Sequence, residues 1–366
     1  MKLHKKGLRF SAISGILCVL FALLFLLGEG IAAFLTGDLD ALNAGERWSA
    51  TGEPYATLTL HTDTENALSR NQVESYAHSI DNALLTESIE SPENGSAWAY
   101  CYYTEDVISV TGPKATAALT TMATGGSFYT FHPLEFLYGA PYVFDKSLPD
   151  GVVLDEDAAW RIFGAVDVVG MTVQISGREM TVTGIVQKER DSAGYERAYG
   201  EIPRVYMSYY GYENVFGEES NITTFEVTLP NPVKAFAKNI FETAVSMNED
   251  HMVLRENSNR YSLVNRFNRM KELPYMGMRN DRIVYPYFEN ELQVVDYTTS
   301  VWMIAQTIAG ACAILTLLSA IIALFASGFS FSGVIKLWWK KAEAAWEKRH
   351  ADKRRKKREK QKKQKI

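Results

Sequence analysis

The sequence predicts an α+β domain held between two membrane-spanning helices, and three observations predict it. Two strand–helix–strand patterns, at residues 55–103 and 223–255, bracket the middle of the chain. Between them lies a stretch whose apolar residues alternate with β periodicity around one short helix. Two apolar runs without a charged residue, Phe10–Gly28 and Val301–Ala326, are each long enough to cross a bilayer as a helix.

The first strand–helix–strand unit opens on Tyr55–Leu60 (YATLTL), which alternates as a strand does. Thr62 and Glu65 have the spacing of a capping box. Val73, Ala77, Ile80 and Leu84 then repeat at helical spacing. Residues 87–96 read as a loop, and Ala97–Tyr103 (AWAYCYY) as the second strand. Trp98, Tyr100 and Tyr102 share one face of it, as core or sheet surface rather than as a ligand platform. The second unit begins with Thr223–Leu229 (TTFEVTL). Asn231 followed by Pro232 is a helix-start signal, Val233, Phe236, Ala237, Ile240, Phe241 and Ala244 make an apolar stripe, and Met252–Arg255 is a short strand. Two such units with opposed helix faces predict a split ferredoxin-like sandwich, its helices covering one side of the sheet.

The central stretch is the most legible. Val152–Leu154 is a short strand, and Asp155 caps a helix whose first turn carries Glu156 and Asp157. Ala159, Ile162 and Phe163 form its apolar stripe, Arg161 lies in its last turn, and Gly164 is placed to end it. Met171, Val173 and Ile175 then alternate, Ser176-Gly177 makes a tight turn, and Met180, Val182 and Val186 resume the alternation. Gly170 shapes the turn before the hairpin.

These residues carry a family resemblance. The acidic helix start, the Phe163-Gly164 ending, the glycine six residues on, the TVQISGREMTVTGIV hairpin, and upstream Gly126–Tyr129 and Leu134–Gly139 resemble the extracytoplasmic core domain of MacB-like ABC transporter permeases. The resemblance covers residues 55–210 well. It implies a porter-like lobe interrupted by a second, mostly β lobe, and it brings no catalytic site. In that family the first span leads out to the core domain and the second leads back; the third and fourth spans expected next have no counterpart, a basic tail standing in their place. The resemblance is therefore to a truncated, two-span form.

The overall net charge of −5 conceals a polarity. Residues 336–366 carry fifteen Lys and Arg against four acids, and residues 37–335 carry a net −19. Lys and Arg flank both apolar runs, which by the positive-inside rule puts both termini in the cytoplasm. A cleaved signal peptide is the other reading of the first run; its length favours an uncleaved anchor. The organisation expected is a cytoplasmic N-terminus (1–9), a first span (10–35), an extracytoplasmic domain (37–300), a second span (301–327) and a basic cytoplasmic tail (328–366). Within the domain, lobe 1 comprises residues 55–105 and 222–257, and the inserted lobe residues 106–215. Residues 258–299 read as a connection back to the membrane, with Arg266, Arg269, Lys271, Arg279 and Arg282 on a solvated or headgroup-facing surface.

Motifs of chemistry are few. The sequence contains no G-x-x-x-x-G-K-[ST], H-E-x-x-H, C-x-x-C or G-x-S-x-G. His4, His61, His78, His132, His251 and His350 have no metal-ligand spacing and read as surface or boundary residues. Cys18, Cys101 and Cys312 offer no internal disulfide framework, and an intermolecular bridge through Cys101 is the one pairing open. Asp155–Asp157 is better explained as a helix start than as a cation site, Glu218-Glu219 as a solvated loop, and Gly125-Gly126-Ser127 is too little for an anion cradle. No catalytic, cofactor-binding or metal-binding residue is therefore assigned, and no cofactor is expected.

Two functions compete. One is a non-catalytic membrane subunit of an ABC-type export or mechanotransmission system, partnered by a separate ATPase and by another permease-like subunit. The other is a stand-alone anchored sensor or binding protein whose acidic exterior attracts basic ligands. An enzyme acting on cell-wall material has only location in its favour. The basic tail fits the anionic inner leaflet; nucleic acid, by charge alone, or an acidic cytoplasmic partner are the other readings, and no nucleic-acid partner is expected.

Overall fold

A computed structural model describes residues 2–37, 39–49, 52–93, 95–189, 199–217, 221–248, 250–276 and 282–327, with 339–340, 343–344 and 346 beyond. Arg279, Glu218-Glu219 and nearly all of the basic tail lie outside these residues. The chain divides into two compact units, Gly30–Met303 and the described parts of Met1–Glu29 with Ile304–Ile366.

The larger unit is built on ten strands: β1 (Tyr55–Thr62), β2 (Ala99–Thr111), β3 (Thr116–Gly126), β4 (Phe136–Gly139), β5 (Gly151–Asp155), β6 (Thr172–Ile175), β7 (Arg178–Val186), β8 (Arg204–Ser208), β9 (Thr224–Pro230) and β10 (Met252–Glu256). The order is β10-β1-β9-β2-β3-β8-β5-β7-β4, with β6 pairing β2 and β7. Its first four strands have the ferredoxin-like order that two split βαβ units generate, as the alternation predicts. The long β2–β3 hairpin, paired from Cys101↔Gly126 to Thr111↔Thr116, carries the sheet from this half into the other.

The last turns of helix α1 (Lys2–Thr36) open this unit and α2 (Ala44–Trp48) follows. The two crossover helices, α3 (Arg70–Thr86) and α7 (Phe236–Ala244), pack on one face of the ferredoxin-like half. Val73, Ala77, Ile80 and Leu84 of α3 are buried against Leu58, Leu60, Phe225 and Val227; each of the Val, Ile and Leu side chains contributes about 1.5–3 kcal/mol by leaving water. Trp98 and Tyr102 join this core, with Tyr100 packed at its edge.

Two helix starts differ from expectation. The capping box on α3 is Ser69 with Gln72, while Asp63 caps only a short 3₁₀ turn at 64–66. A cap must sit next to the turn that buries the first apolar residue, and Ser69 stands four residues before Val73 whereas Thr62 still lies in β1. Helix α7 begins at Phe236, after Ala235 at φ +65°, and Asn231 accepts from the Ala237 N–H at 3.2 Å. Val233 is left exposed.

In the other half, α4 (Phe128–Phe131) is a single turn, and α5 (Glu156–Ile162) and α6 (Tyr209–Phe216) are short. The Asp155 cap is real: its Oδ1 accepts from the Ala158 N–H at 2.6 Å. Its Oδ2 also accepts from the Arg204 N–H at 2.7 Å and the Tyr199 hydroxyl at 2.9 Å, so one buried carboxylate ties α5 to β8. Gly164 ends α5 at φ +78°, and Ser176-Gly177 turns the β6–β7 hairpin at φ +48° and +80°.

The apolar run expected at 301–327 belongs to a longer helix, α9 (Tyr287–Ala326), which starts fourteen residues before it; α8 (Leu263–Met270) precedes it. Helices α1 and α9 are the two described helices long and apolar enough to cross a membrane. In the smaller unit they lie antiparallel: Ser11 Oγ donates to the Ala320 carbonyl at 3.0 Å, and Gln306 Nε2 donates to the Phe25 carbonyl at 3.1 Å and to Glu29 Oε1 at 2.7 Å. Glu29, just past the first run, and Gln306 of the second thus meet each other. Gly310 stands beside Phe25, while Leu23, Leu26, Leu315 and Ile322 are more than half exposed, the apolar exterior that a lipid-facing helix requires.

Candidate functional site

Alternation on β1 and β9 puts Leu58, Leu60, Phe225 and Val227 toward the crossover helices. By the same pleat Thr57, Thr59, His61, Thr224, Glu226 and Thr228 face the other way. A polar face of this kind normally meets water. Here all six residues are buried, because α2, α4 and the first turns of α9 cover them. On β2 the same face carries Ala99, Cys101 and Tyr103, which join a second, aromatic core with Phe128, Phe131, Tyr206, Tyr287 and Phe288.

Register places Glu226 of β9 between Thr59 of β1 and Cys101 of β2. Thr59 Oγ1 donates to Glu226 Oε1 at 3.0 Å, and Cys101 Sγ lies 3.5 Å from Oε2. His132, just past the last residue of α4, bonds through Nε2 to Glu226 Oε2 at 2.6 Å. Its ring stacks on Phe288 with 3.7 Å between centroids, so the start of α9 backs it. Burial alone would raise the Glu226 carboxyl, but His132, His61 and Thr59 outweigh burial and hold it below the usual carboxylate range. Burial, and then Glu226, push the Cys101 thiol well above its ordinary value.

From Thr59 the network runs on. Asn257 Nδ2 donates to Thr59 Oγ1 at 2.9 Å, and Arg260 Nη1 donates to Asn257 Oδ1 at 3.1 Å. Arg260 lies between β10 and α8 and is 1% exposed. Its guanidinium forks onto two carboxylates of α9. Glu289 accepts at 2.7 and 2.8 Å, and Asp296 at 2.6, 3.1 and 3.2 Å. Residues seven apart on a helix share one face two turns apart, so a single Arg spans both. Arg255 approaches Glu289 at 3.2 Å and Arg269 pairs with Asp296. Burial disfavours the Arg260 charge, yet Glu289 and Asp296 hold its pKa well above the ordinary value. His61 stands beside them with Nε2 3.9 Å from Glu289, and burial drops its pKa to about 4.

Several sequence expectations change here. Arg266 and Arg269 belong to this buried layer rather than to a solvated surface: Arg266 is 2% exposed and donates to the Tyr261 carbonyl, and Arg269 holds Asp296. For Arg269 the reason is that α9 starts early and brings Asp296 to it. Arg282 is exposed, as expected. Cys101 has no exposed surface, which removes it as the point of an intermolecular bridge. His61 and His132 are buried, whereas His78 is exposed. Asp155, Gly164, Gly170 and Gly177 stay in structural positions away from this network. The group Cys101, His132 and Glu226, whose ligand atoms lie within 4.8 Å of one another, is not visible from spacing, since the three come from β2, the end of α4 and β9.

No curated protein matches the chain. Similar solved structures include the periplasmic region of MacB from Actinobacillus actinomycetemcomitans, at 16% identity and TM-score 0.40 over 57% of this chain and 92% of that one. The extracellular domain of the noncanonic ABC-type transporter YknZ from Gram-positive bacteria matches at 11% identity and TM-score 0.36, over 51% of this chain and 90% of that one. A domain of a putative permease protein from Porphyromonas gingivalis matches at 12% identity and TM-score 0.33, over 56% and 88%. The model of the MacB-like periplasmic core domain matches residues 13–240, well over half of the sequence, so the chain belongs to the MacB-like periplasmic core domain family.

Proposed function

We propose that the chain is a non-catalytic membrane subunit of an ABC-type export or mechanotransmission system, whose extracytoplasmic domain is driven through α9. The observation that carries this reading is the Arg260 fork. It fixes two turns of α9 to the domain, and the same helix runs on into an apolar segment long enough to span a bilayer. In this reading a displacement of that segment of α9 is passed directly to the domain that holds it. The basic flanks support an orientation with both termini in the cytoplasm, residues 37–300 outside and the tail against anionic lipid. In this reading the motor is an ATP-binding subunit, joined by another permease-like subunit.

The test is native co-purification of the chain from membranes in a mild detergent, with bound proteins identified by mass spectrometry. A stoichiometric ATP-binding subunit is the expected result. Its reproducible absence from intact, folded protein would overturn the proposal and favour an anchored sensor.

A further inference from the structure

We infer that Cys101, His132 and Glu226 form a binding site for a single borderline-soft divalent metal ion, zinc being the best fit. The three side chains are buried and their ligand atoms already converge within 4.8 Å. Thiolate, imidazole and carboxylate are the donors zinc takes, at roughly 2.0–2.3 Å each. Ligands at that distance around a tetrahedral ion lie roughly 3–4 Å apart. Cys101 Sγ and Glu226 Oε2 stand at 3.5 Å, while His132 Nε2 and Glu226 Oε2, now hydrogen-bonded at 2.6 Å, must part by roughly 0.7 Å.

Two further features of the site fit an ion. The free Glu226 oxygen is held by the Thr59 hydroxyl, which in turn accepts from Asn257, the outer-shell support that orients a metal-bound carboxylate. The Tyr103 hydroxyl is buried, has no hydrogen-bond partner, and lies in the field of Glu226 and Cys101. It is the polar group left to meet a fourth position. Charge also balances. One thiolate, one carboxylate and a dication sum to zero, the condition a dry interior favours. Binding expels the Cys101 proton; the proton between His132 and Glu226 either leaves as well or moves to the other ring nitrogen. Between one and two protons are released per ion, and no oxidant or reductant is involved.

The ion would tie β2 and β9 to the end of α4, with His132 stacked on the start of α9, and would sit at one end of the hydrogen-bond chain that leads to Arg260. This is a structural clip, distinct from the coupling reading and testable without any partner subunit.

The experiment titrates cobalt(II) into the full chain, reduced, stripped by chelator and held in detergent. One equivalent should produce a thiolate-to-cobalt charge-transfer band, which zinc(II) then removes one for one. Calorimetry in two buffers of different ionisation enthalpy should give one to two protons released. The band should vanish in Cys101→Ser and persist in Cys18→Ser and Cys312→Ser. Glu226→Gln and His132→Gln should weaken zinc by at least about 100-fold, and Thr59→Val by about 10–100-fold. Failure of the wild-type chain to bind either ion, or a band that survives Cys101→Ser, would overturn the proposal. The wild-type titration decides the matter even where a variant does not fold.

Discussion

Arg260→Met tests the anchoring of α9. Arg260 is 1% exposed and makes five nitrogen–oxygen contacts of 3.2 Å or less to Glu289 and Asp296. Breaking a buried ion pair by removing one partner typically costs about 3–5 kcal/mol, since the charge left behind is uncompensated. Compensation here is partial. Arg255 remains 3.2 Å from Glu289 and Arg269 stays on Asp296. The expected loss is therefore near the lower bound, about 3 kcal/mol. Arg260→Lys keeps the charge but cannot fork onto two carboxylates at once, so it should recover only part of that loss. A double-mutant cycle of Arg260→Met with Glu289→Gln should give a coupling of about 0.5–3 kcal/mol. The assay is denaturant unfolding of the full chain in detergent micelles, followed by tryptophan fluorescence; Trp98 is buried and donates to Asp81 at 2.6 Å in the same unit. A loss under about 1 kcal/mol for Arg260→Met, below what any broken buried pair should cost, would refute the reasoning.

Other perturbations report on neighbouring parts. Gly164→Val should cost about 1–2 kcal/mol in the same unfolding assay, because φ is +78° there and the added Cβ meets only the flexible Lys114 side chain; an unchanged midpoint would count against it. Asp155→Ala should cost about 3 kcal/mol or more, since it orphans two buried N–H groups and the Tyr199 hydroxyl, and a loss no larger than the roughly 1 kcal/mol of an ordinary cap would show those donors find other partners. His61 has its pKa lowered to about 4 from an unfolded value near 6.5, so it is neutral when folded. Its contribution is complete above pH 6.5 and is lost as the pH falls toward 4, an amount of about 3 kcal/mol. His61→Gln should flatten stability against pH across that window, and an unaltered slope would exclude His61 as its source.

The parts of the fold that were legible from sequence are those where one face of an element is dry and the other wet. Val73, Ala77, Ile80 and Leu84 announce α3, and the caps and glycines around α5 and the β6–β7 hairpin fall where their chemistry demands. The buried network was not legible for a physical reason. Thr57, Thr59 and His61, like Thr224 and Glu226, follow the alternation of a strand with one solvated face. What buries them is α2, α4 and the start of α9, the last beginning more than two hundred residues after β1. Periodicity reports that two faces differ, not what covers the polar one. Arg269 misled for the same reason, its acidic partner Asp296 lying on a helix whose start was hidden upstream of the apolar run. Charged residues on the first and third turns of α9, Glu289 and Asp296 set seven apart, were the available signal that this helix has a face to bury before it turns apolar.

Hydrogen exchange along α9 tests most directly whether the start of this helix belongs to the external domain. Measured on the full chain in detergent or lipid, amides of residues 287–303 should open only with β1 and β9, at the same slow rate, because Arg260 locks them into one cooperative unit. Fast exchange of 287–303 while β1 and β9 stay protected would show a helix that moves independently of the domain, and would contradict the coupling on which the account rests.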